Sequence, residues 1–280
     1  MFFGSFRTTV KASLKYRAGL VEARRIVVKI GTRVLVRKTG QPDMGRIRAL
    51  VKGLACLNHS GYEVAVVTSG AIGAGMEALG MKRRPSLLPD LQMAAAVGQS
   101  RLMARYDKLF SAEDCIVGQV LLTRDDFIHK IRLTNARRTI SNLLRNNVIP
   151  IINENDVVAD DEIRADLTLG DNDRLSAMLV KLIQADLLIM LSTVDGVRRP
   201  LESGATARIS CLEAITGSTF GLVSGSRNEL SKGGMGSKLE AAQTVSKAGV
   251  NVVIADGRKR RIIEDIISGK DVGTFIVPSM

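Results

Sequence analysis

Two lysines and a run of acidic and amide side chains stand where an anion could be handled. Lys29 interrupts the apolar stretch VVKIGTRVL, residues 27–35, and is followed closely by Gly31. A lysine in such a run either reaches solvent from an edge strand or waits for an anion, and its apolar neighbours favour the anion. Far along the chain, SKGGMGSKLEAA, residues 231–242, is a glycine-rich segment that puts Lys238 on the first turn of a helix pattern. Positive charge there opposes the helix dipole, so Lys238 is either merely solvated or balanced by an anion. The segment LTLGDNDRLSAMLV, residues 167–180, opens a helical pattern with Asp171, Asn172 and Asp173. One such residue would serve as a cap; the surplus suits a carboxylate that orients a lysine and an amide that binds substrate.

Two further stretches belong with these. In VVTSGAIGAG, residues 66–75, an apolar strand runs into glycines that open a helix pattern. Backbone N–H groups at such a turn can receive phosphate or carboxylate oxygens, although glycines also let helices pack closely. Its spacing is neither GxGxxG nor a Walker A loop. VIPIINENDVVADDE, residues 148–162, begins as a buried strand and turns abruptly into amides and carboxylates, a density that implies a polar ligand. Lysines from opposite ends of the chain, two glycine-rich loops and an acidic cluster together point to phosphoryl transfer, where the protein aligns two reactants and neutralises charge. A Mg²⁺ ion would bind largely through phosphate oxygens and water.

The elements that must position these groups follow from hydrophobic period. Strands are expected at Arg25–Ile30, Glu63–Thr68, Ile116–Leu122, Val148–Ile152, Leu187–Leu191, Val250–Ala255 and Thr274–Val277, with helix patterns such as Gly45–Leu57 separating most of them. Strands this apolar are expected to be buried on both faces, in a mostly parallel sheet covered by helices. Ligands of such sheets lie at the carboxyl ends of the strands. Lys29, Thr68-Ser69-Gly70, the run after Ile152 and Ser192-Thr193 all fall there.

Composition excludes several classes. The chain has 280 residues, 45% of them apolar, with no uncharged apolar run near the roughly 18 residues that span a bilayer. Cys56, Cys115 and Cys211 are scattered and lack CxxC spacing, and they read as reduced core thiols in a cytosol-like compartment. His59 and His129 carry no ligand motif, so no metal site is proposed from side chains. The net charge of +12 suits acidic partners. Residues 1–25 hold Arg7, Lys11, Lys15, Arg17, Arg24 and Arg25 against Glu22, so much of the excess is expected outside the fold. This basic extension, residues 1–24, is compatible with organelle targeting as well as with a plain bacterial extension. The run Arg258–Arg261 reads as a solvated helix face.

In order from about residue 25 to 278, VVKIGTRVL, VVTSGAIGAG, AAAVGQSRLM, GQVLLTRDDF, NARRTI, IPIINENDVV, GDNDRLSA, KGGMGSKLEAA and VGTFIVP resemble the glutamate 5-kinase family of amino acid kinases. AAVGQS, IINEND and GDND distinguish that family from the related kinases of acetylglutamate, aspartate, carbamate and uridylate. The resemblance implies an α/β fold, a three-layer αβα sandwich with a mostly parallel central sheet, as one domain over residues 25–280. Its N-terminal part would bind glutamate and its C-terminal part ATP. The implied reaction is ATP-dependent phosphorylation of the γ-carboxylate of L-glutamate to γ-glutamyl phosphate, the first step of proline synthesis.

Residue by residue, the resemblance makes Lys29 and Lys238 the stabilisers of the transferring phosphoryl group and Asp173 their orienting carboxylate. Ser69, Asp156 and Asn172 would hold glutamate, with Asp156 facing its ammonium group and Asn153 and Glu154 as braces. ATP would be held by Lys29, Ser192, Thr193 and the loop Lys232, Gly233, Gly234, Met235, Gly236, Ser237 and Lys238, with Mg²⁺ accompanying it. The sequence departs from the family pattern at Arg33, where serine is usual, at STVDGVRRP after the fifth expected strand, and at Ser-Lys-Gly-Gly-Met. All three changes fall on the nucleotide side, where Lys232 could add a phosphate contact. Family members form dimers or tetramers in the cytoplasm, are often inhibited by proline, and in many cases carry a C-terminal PUA domain; here a kinase domain acting alone is expected. A weakly catalytic amino-acid or nucleotide sensor on the same fold is the alternative. A role in binding RNA has no recognition motif or aromatic set behind it.

Overall fold

The computed structural model describes residues 14–37, 41–158, 171–223 and 234–279. Its frame is built from the apolar runs. Strands β1 (Arg25–Ile30), β2 (Glu63–Val67), β3 (Ile116–Leu122), β4 (Val148–Glu154), β5 (Leu187–Ser192), β8 (Cys211–Leu212), β9 (Asn251–Asp256) and β10 (Thr274–Ile276) form one sheet in the order β3-β4-β2-β1-β5-β9-β10-β8. Strands β6 (Arg198–Pro200) and β7 (Thr206–Arg208) make a separate antiparallel ribbon. All pairings in the main sheet are parallel except β9 with β10.

Besides a 3-10 turn at Gly19–Glu22, the helices are α1 (Thr32–Leu35), α2 (Met44–His59), α3 (Ala71–Ala78), α4 (Leu88–Ser111), α5 (Arg124–Ile128), α6 (Lys130–Arg145), α7 (Asp171–Ile183), α8 (Gly217–Gly221), α9 (Met235–Ser246) and α10 (Ile262–Ile267). Alternation along the strands sorts them into layers. Ile26, Val28 and Ile30 of β1 face one way and pack with α2, α4 and α10. Val27 faces the other way, beneath α6, α7 and α9. Helices on both faces give the three-layer sandwich expected from sequence. The two-residue period puts Lys29 on the face of Val27, which is the face that carries α7 and α9.

Several expectations need correction. Strand β3 is not buried on both faces: it pairs only with β4, and Ile116 is 69% exposed because the sheet ends there. The short strands β6, β7 and β8 have no apolar run to announce them. Cys56 is exposed on α2, whereas Cys115 is buried and Cys211 is half-buried against the core, so Cys56 is the one that is not a core thiol.

The basic N-terminal segment, read as lying outside the fold, is part of it over its described residues. Leu20 and Arg17 are fully buried. The Arg17 guanidinium donates to the carbonyls of Lys270, Val272, Ser210 and Gly273, at 3.2, 2.9, 2.9 and 3.1 Å, and lies 3.5 Å from the Asp271 carboxylate. Its plane sits 5.7 Å from the Phe275 ring centre. A guanidinium saturated in this way by carbonyls and a carboxylate is how a buried arginine is tolerated. The basic run Arg258–Arg261 is exposed, as expected, but on the turn between β9 and α10 rather than on a helix face.

Candidate active site

The carboxyl ends of β1, β2, β4 and β5 lie side by side, and the chemistry-bearing residues gather along that edge. Lys29, next to the last residue of β1, reaches Asp173 on the first turn of α7, Nζ to Oδ1 2.6 Å. Lys238 on the first turns of α9 reaches the other oxygen, Oδ2, at 3.2 Å. The Asp173 side chain has no exposure, and the two lysines are 5% and 4% exposed. Ser237 donates to Asp173 Oδ2 at 2.8 Å. Burial alone would raise the Asp173 carboxyl, but the two ammonium groups and the Ser237 hydroxyl overcome it and hold the group ionised below the usual carboxylate range. Burial pushes the Lys238 ammonium down, and Lys29 and Arg33 push the same way against the pull of Asp173. Two buried cations share one anion, so the cluster carries net positive charge that a phosphoryl group would balance.

A strip of amides continues from this cluster. Asn172 Nδ2 donates to Ser69 Oγ at 2.9 Å and to Asn153 Oδ1 at 3.2 Å. Asn153, at the end of β4 and only 2% exposed, donates in turn to Gln99 Oε1 at 2.8 Å. Ser69 follows β2, and the turn after it is made by Gly70 at φ 113°, a conformation only glycine adopts cheaply. Beneath it, Thr68 and Tyr106 share a buried hydroxyl contact of 2.7 Å. The structure therefore brings Lys29, Lys238 and Asp173 into one cluster and Ser69 and Asn172 into direct contact beside it. Asp156 sits half-buried in the turn that follows β4.

On the nucleotide side, Ser192 closes β5 next to β1, its carbonyl accepting from Gly257 N–H at 2.9 Å, and Thr193 follows it half-buried. Gly234 is the N-cap of α9 and supplies no side-chain cap, no acid occupies the first turn, and a side chain added at Gly236 would meet open space. The bare N–H groups of Met235, Gly236 and Ser237 are therefore suited to an anion. Lys232 and Gly233 lie outside the described residues. Arg33 is exposed on α1, close enough to depress Lys238, so the change from the family's serine adds positive charge to the site.

Among the described residues no group of three or more His, Cys, Asp or Glu side chains could hold a metal ion. Both Asp173 oxygens are already taken by lysines. These residues do not build a protein-held Mg²⁺ site; an ion arriving with ATP would keep phosphate oxygens and water as ligands.

Asn153 braces Asn172, in the bracing role that the family resemblance implies for it, whereas Gln99 escaped site assignment. The signal was present: in MAAAVGQS a glutamine falls among small residues that α4 turns toward α3.

The fold and this cluster define a phosphoryl-transfer enzyme of the α/β sandwich type. The Amino acid kinase family model matches residues 24–256. A "Glutamate 5-kinase" of Moorella thermoacetica is 43% identical over 264 residues, covering 94% of this chain and 69% of that protein. One from Clostridium tetani is 40% identical and covers 91% of this chain and 95% of its own length. Among solved structures, the UMP kinases of Bacillus anthracis and Ureaplasma parvum superpose with TM-scores of 0.61 and 0.59 at 14% identity, covering 92% and 91% of this chain and 97% and 99% of theirs. The chain belongs to the amino acid kinase family and, within it, to the glutamate 5-kinases.

Proposed function

We propose that this chain transfers the γ-phosphoryl group of ATP to the γ-carboxylate of L-glutamate, giving γ-glutamyl phosphate and ADP, the first step of proline synthesis. The observation that carries the reading is the buried Lys29–Asp173–Lys238 cluster adjoining the Ser69–Asn172 amide wall. The acceptor carboxylate is ionised near neutral pH, so no general base is needed. The obstacle is charge: an anion must approach an anion. Lys29 and Lys238 supply cations on the reacting groups, and Asp173 fixes both in place while leaving a net charge of one. Ser69 and Asn172 orient glutamate, and Asp156 faces its ammonium group. Ser192, Thr193 and residues 232–238 hold ATP, and Mg²⁺ screens its phosphates.

The same reading extends to the whole molecule. The kinase domain, which takes in the buried Arg17 and Leu20 ahead of β1, works in the cytoplasm as a homodimer or tetramer open to inhibition by proline. Exposed apolar side chains, Ile116 at the start of edge strand β3 and Ile128 and Ile131 on the helices after it, are available for assembly. Hydroxylamine trapping of acyl phosphate, with purified protein and Mg-ATP, tests the reaction against L-glutamate, aspartate and N-acetylglutamate. Hydroxamate formed only with glutamate supports it. No hydroxamate from any acceptor, in a folded sample that binds glutamate, replaces it with the sensor reading.

A further inference from the structure

The amide strip ends on an unfinished side chain. Gln99 is 9% exposed on α4, and its Oε1 is committed to the Asn153 amide. With Oε1 accepting from Asn153, the Gln99 Nε2 is buried with no partner among the described residues. A buried N–H group without an acceptor costs free energy in every folded molecule, so its retention calls for something that occupies it at another moment. Asn172 Oδ1 is likewise buried and without a partner among the described residues. One strip therefore offers a spare donor at one end and a spare acceptor at the other. A zwitterionic amino acid supplies the complement to both, a carboxylate oxygen for the donor and an ammonium N–H for the acceptor.

Position along the strip decides which carboxylate. Asn172 is the chain neighbour of Asp173, while Gln99 is reached only through Asn153. Gln99 therefore stands at the end of the strip removed from the lysines, where the group being phosphorylated cannot also lie. Resting on the proposed glutamate kinase function, we infer that Gln99 contacts substrate and sets its specificity, its Nε2–H donating to the α-carboxylate of glutamate. The packing of α4 supports such precision: Gly98, the preceding residue, holds α4 against the α3 backbone, because a Cβ there would lie 1.8 Å from the Ala71 carbonyl oxygen.

The test separates contact from mere bracing. Gln99→Glu keeps an oxygen for Asn153 but replaces the donor with a negative charge, whereas Gln99→Met removes both functions. Loss of a hydrogen bond to a charged group predicts a KM for L-glutamate raised roughly 10- to 100-fold in Gln99→Glu, with the KM for ATP unchanged. A bracing role alone predicts that Gln99→Met keeps the wild-type preference for L-glutamate over 4-aminobutanoate; that result, or an unchanged glutamate KM in Gln99→Glu, overturns the inference. Should Gln99→Glu fail to fold, by circular dichroism, Gln99→Met decides the matter through equilibrium binding of L-glutamate and of 4-aminobutanoate, which lacks the α-carboxylate. Collapse of the wild-type preference for glutamate supports the contact; an unchanged preference overturns it. Wild-type protein that forms no glutamyl hydroxamate fails the kinase reading itself, an outcome distinct from both.

Discussion

Gly98 and Ala71 bring two helices into backbone contact: a methyl group on Gly98 would lie 1.8 Å from the Ala71 carbonyl oxygen. Gly75 reciprocates, its absent Cβ falling 1.7 Å from the carbonyl oxygen of Ala94. Neither obstacle is the movable end of a side chain. Gly98→Ala must therefore push α4 away from α3 and displace Gln99 with it. Overpacking of this kind costs about 1–3 kcal/mol or more, read as a lowered urea midpoint at unchanged slope. A variant that unfolds like wild type would show that the helices sit further apart than described.

Asp173→Asn preserves volume and removes the charge that both lysines share. Breaking a buried ion cluster from one side costs about 3–5 kcal/mol, and two ammonium groups are left facing each other. Thermal unfolding should show a large loss in the free protein and an unusually large recovery with Mg-ATP, whose phosphates replace the missing anion. The catalysed rate should fall by on the order of 10²-fold or more as the lysines lose their alignment.

Lys29→Ala and Lys238→Ala should lower kcat by on the order of 10²- to 10³-fold with modest effects on KM, the mark of contacts made in the transition state. Asp156→Ala should act in the opposite sense, raising the glutamate KM and leaving kcat nearly intact. Steady-state kinetics on the three purified variants check the assignment; unchanged constants in all of them would refute it.

Tyr106 supplies a pH marker for the wall behind Ser69. Burial pushes its phenol up to about 12 from an ordinary value of 10.0, a rise that the Thr68 hydroxyl contact only partly offsets. The unfolded chain therefore releases this proton first. Stability contributed by Tyr106 is intact below pH 10, and it declines as pH rises toward 12, by on the order of 2–3 kcal/mol in full. In a spectrophotometric titration, the Tyr106 phenolate band should appear as a late component that follows unfolding. Tyr106→Phe removes the late component.

Much of the frame was written in the sequence. Seven apolar runs predicted seven strands because a strand buried on both faces has no polar side to blur its limits, and β1, β2, β4, β5 and β9 obey this. The order of motifs along the chain likewise identified the family and implied a role for Ser69, while Lys29 stood out inside an apolar strand and Asn172, Asp173 and Lys238 stood out at helix starts where they exceed what a cap requires or oppose the dipole. Exposure of β3 was not legible, since hydrophobicity reports a preference for burial and not which strand ends the sheet. Nor was the burial of Arg17, whose acceptors at Ser210 and residues 270–273 lie far away in the chain. Sequence by itself determined which residue types were available for chemistry and on which strand ends they would stand. Tertiary structure alone decided their pairing, because Lys29, Asp173 and Lys238 meet only when β1, α7 and α9 pack, and Gln99 is left with a spare donor only once Asn153 has taken its oxygen.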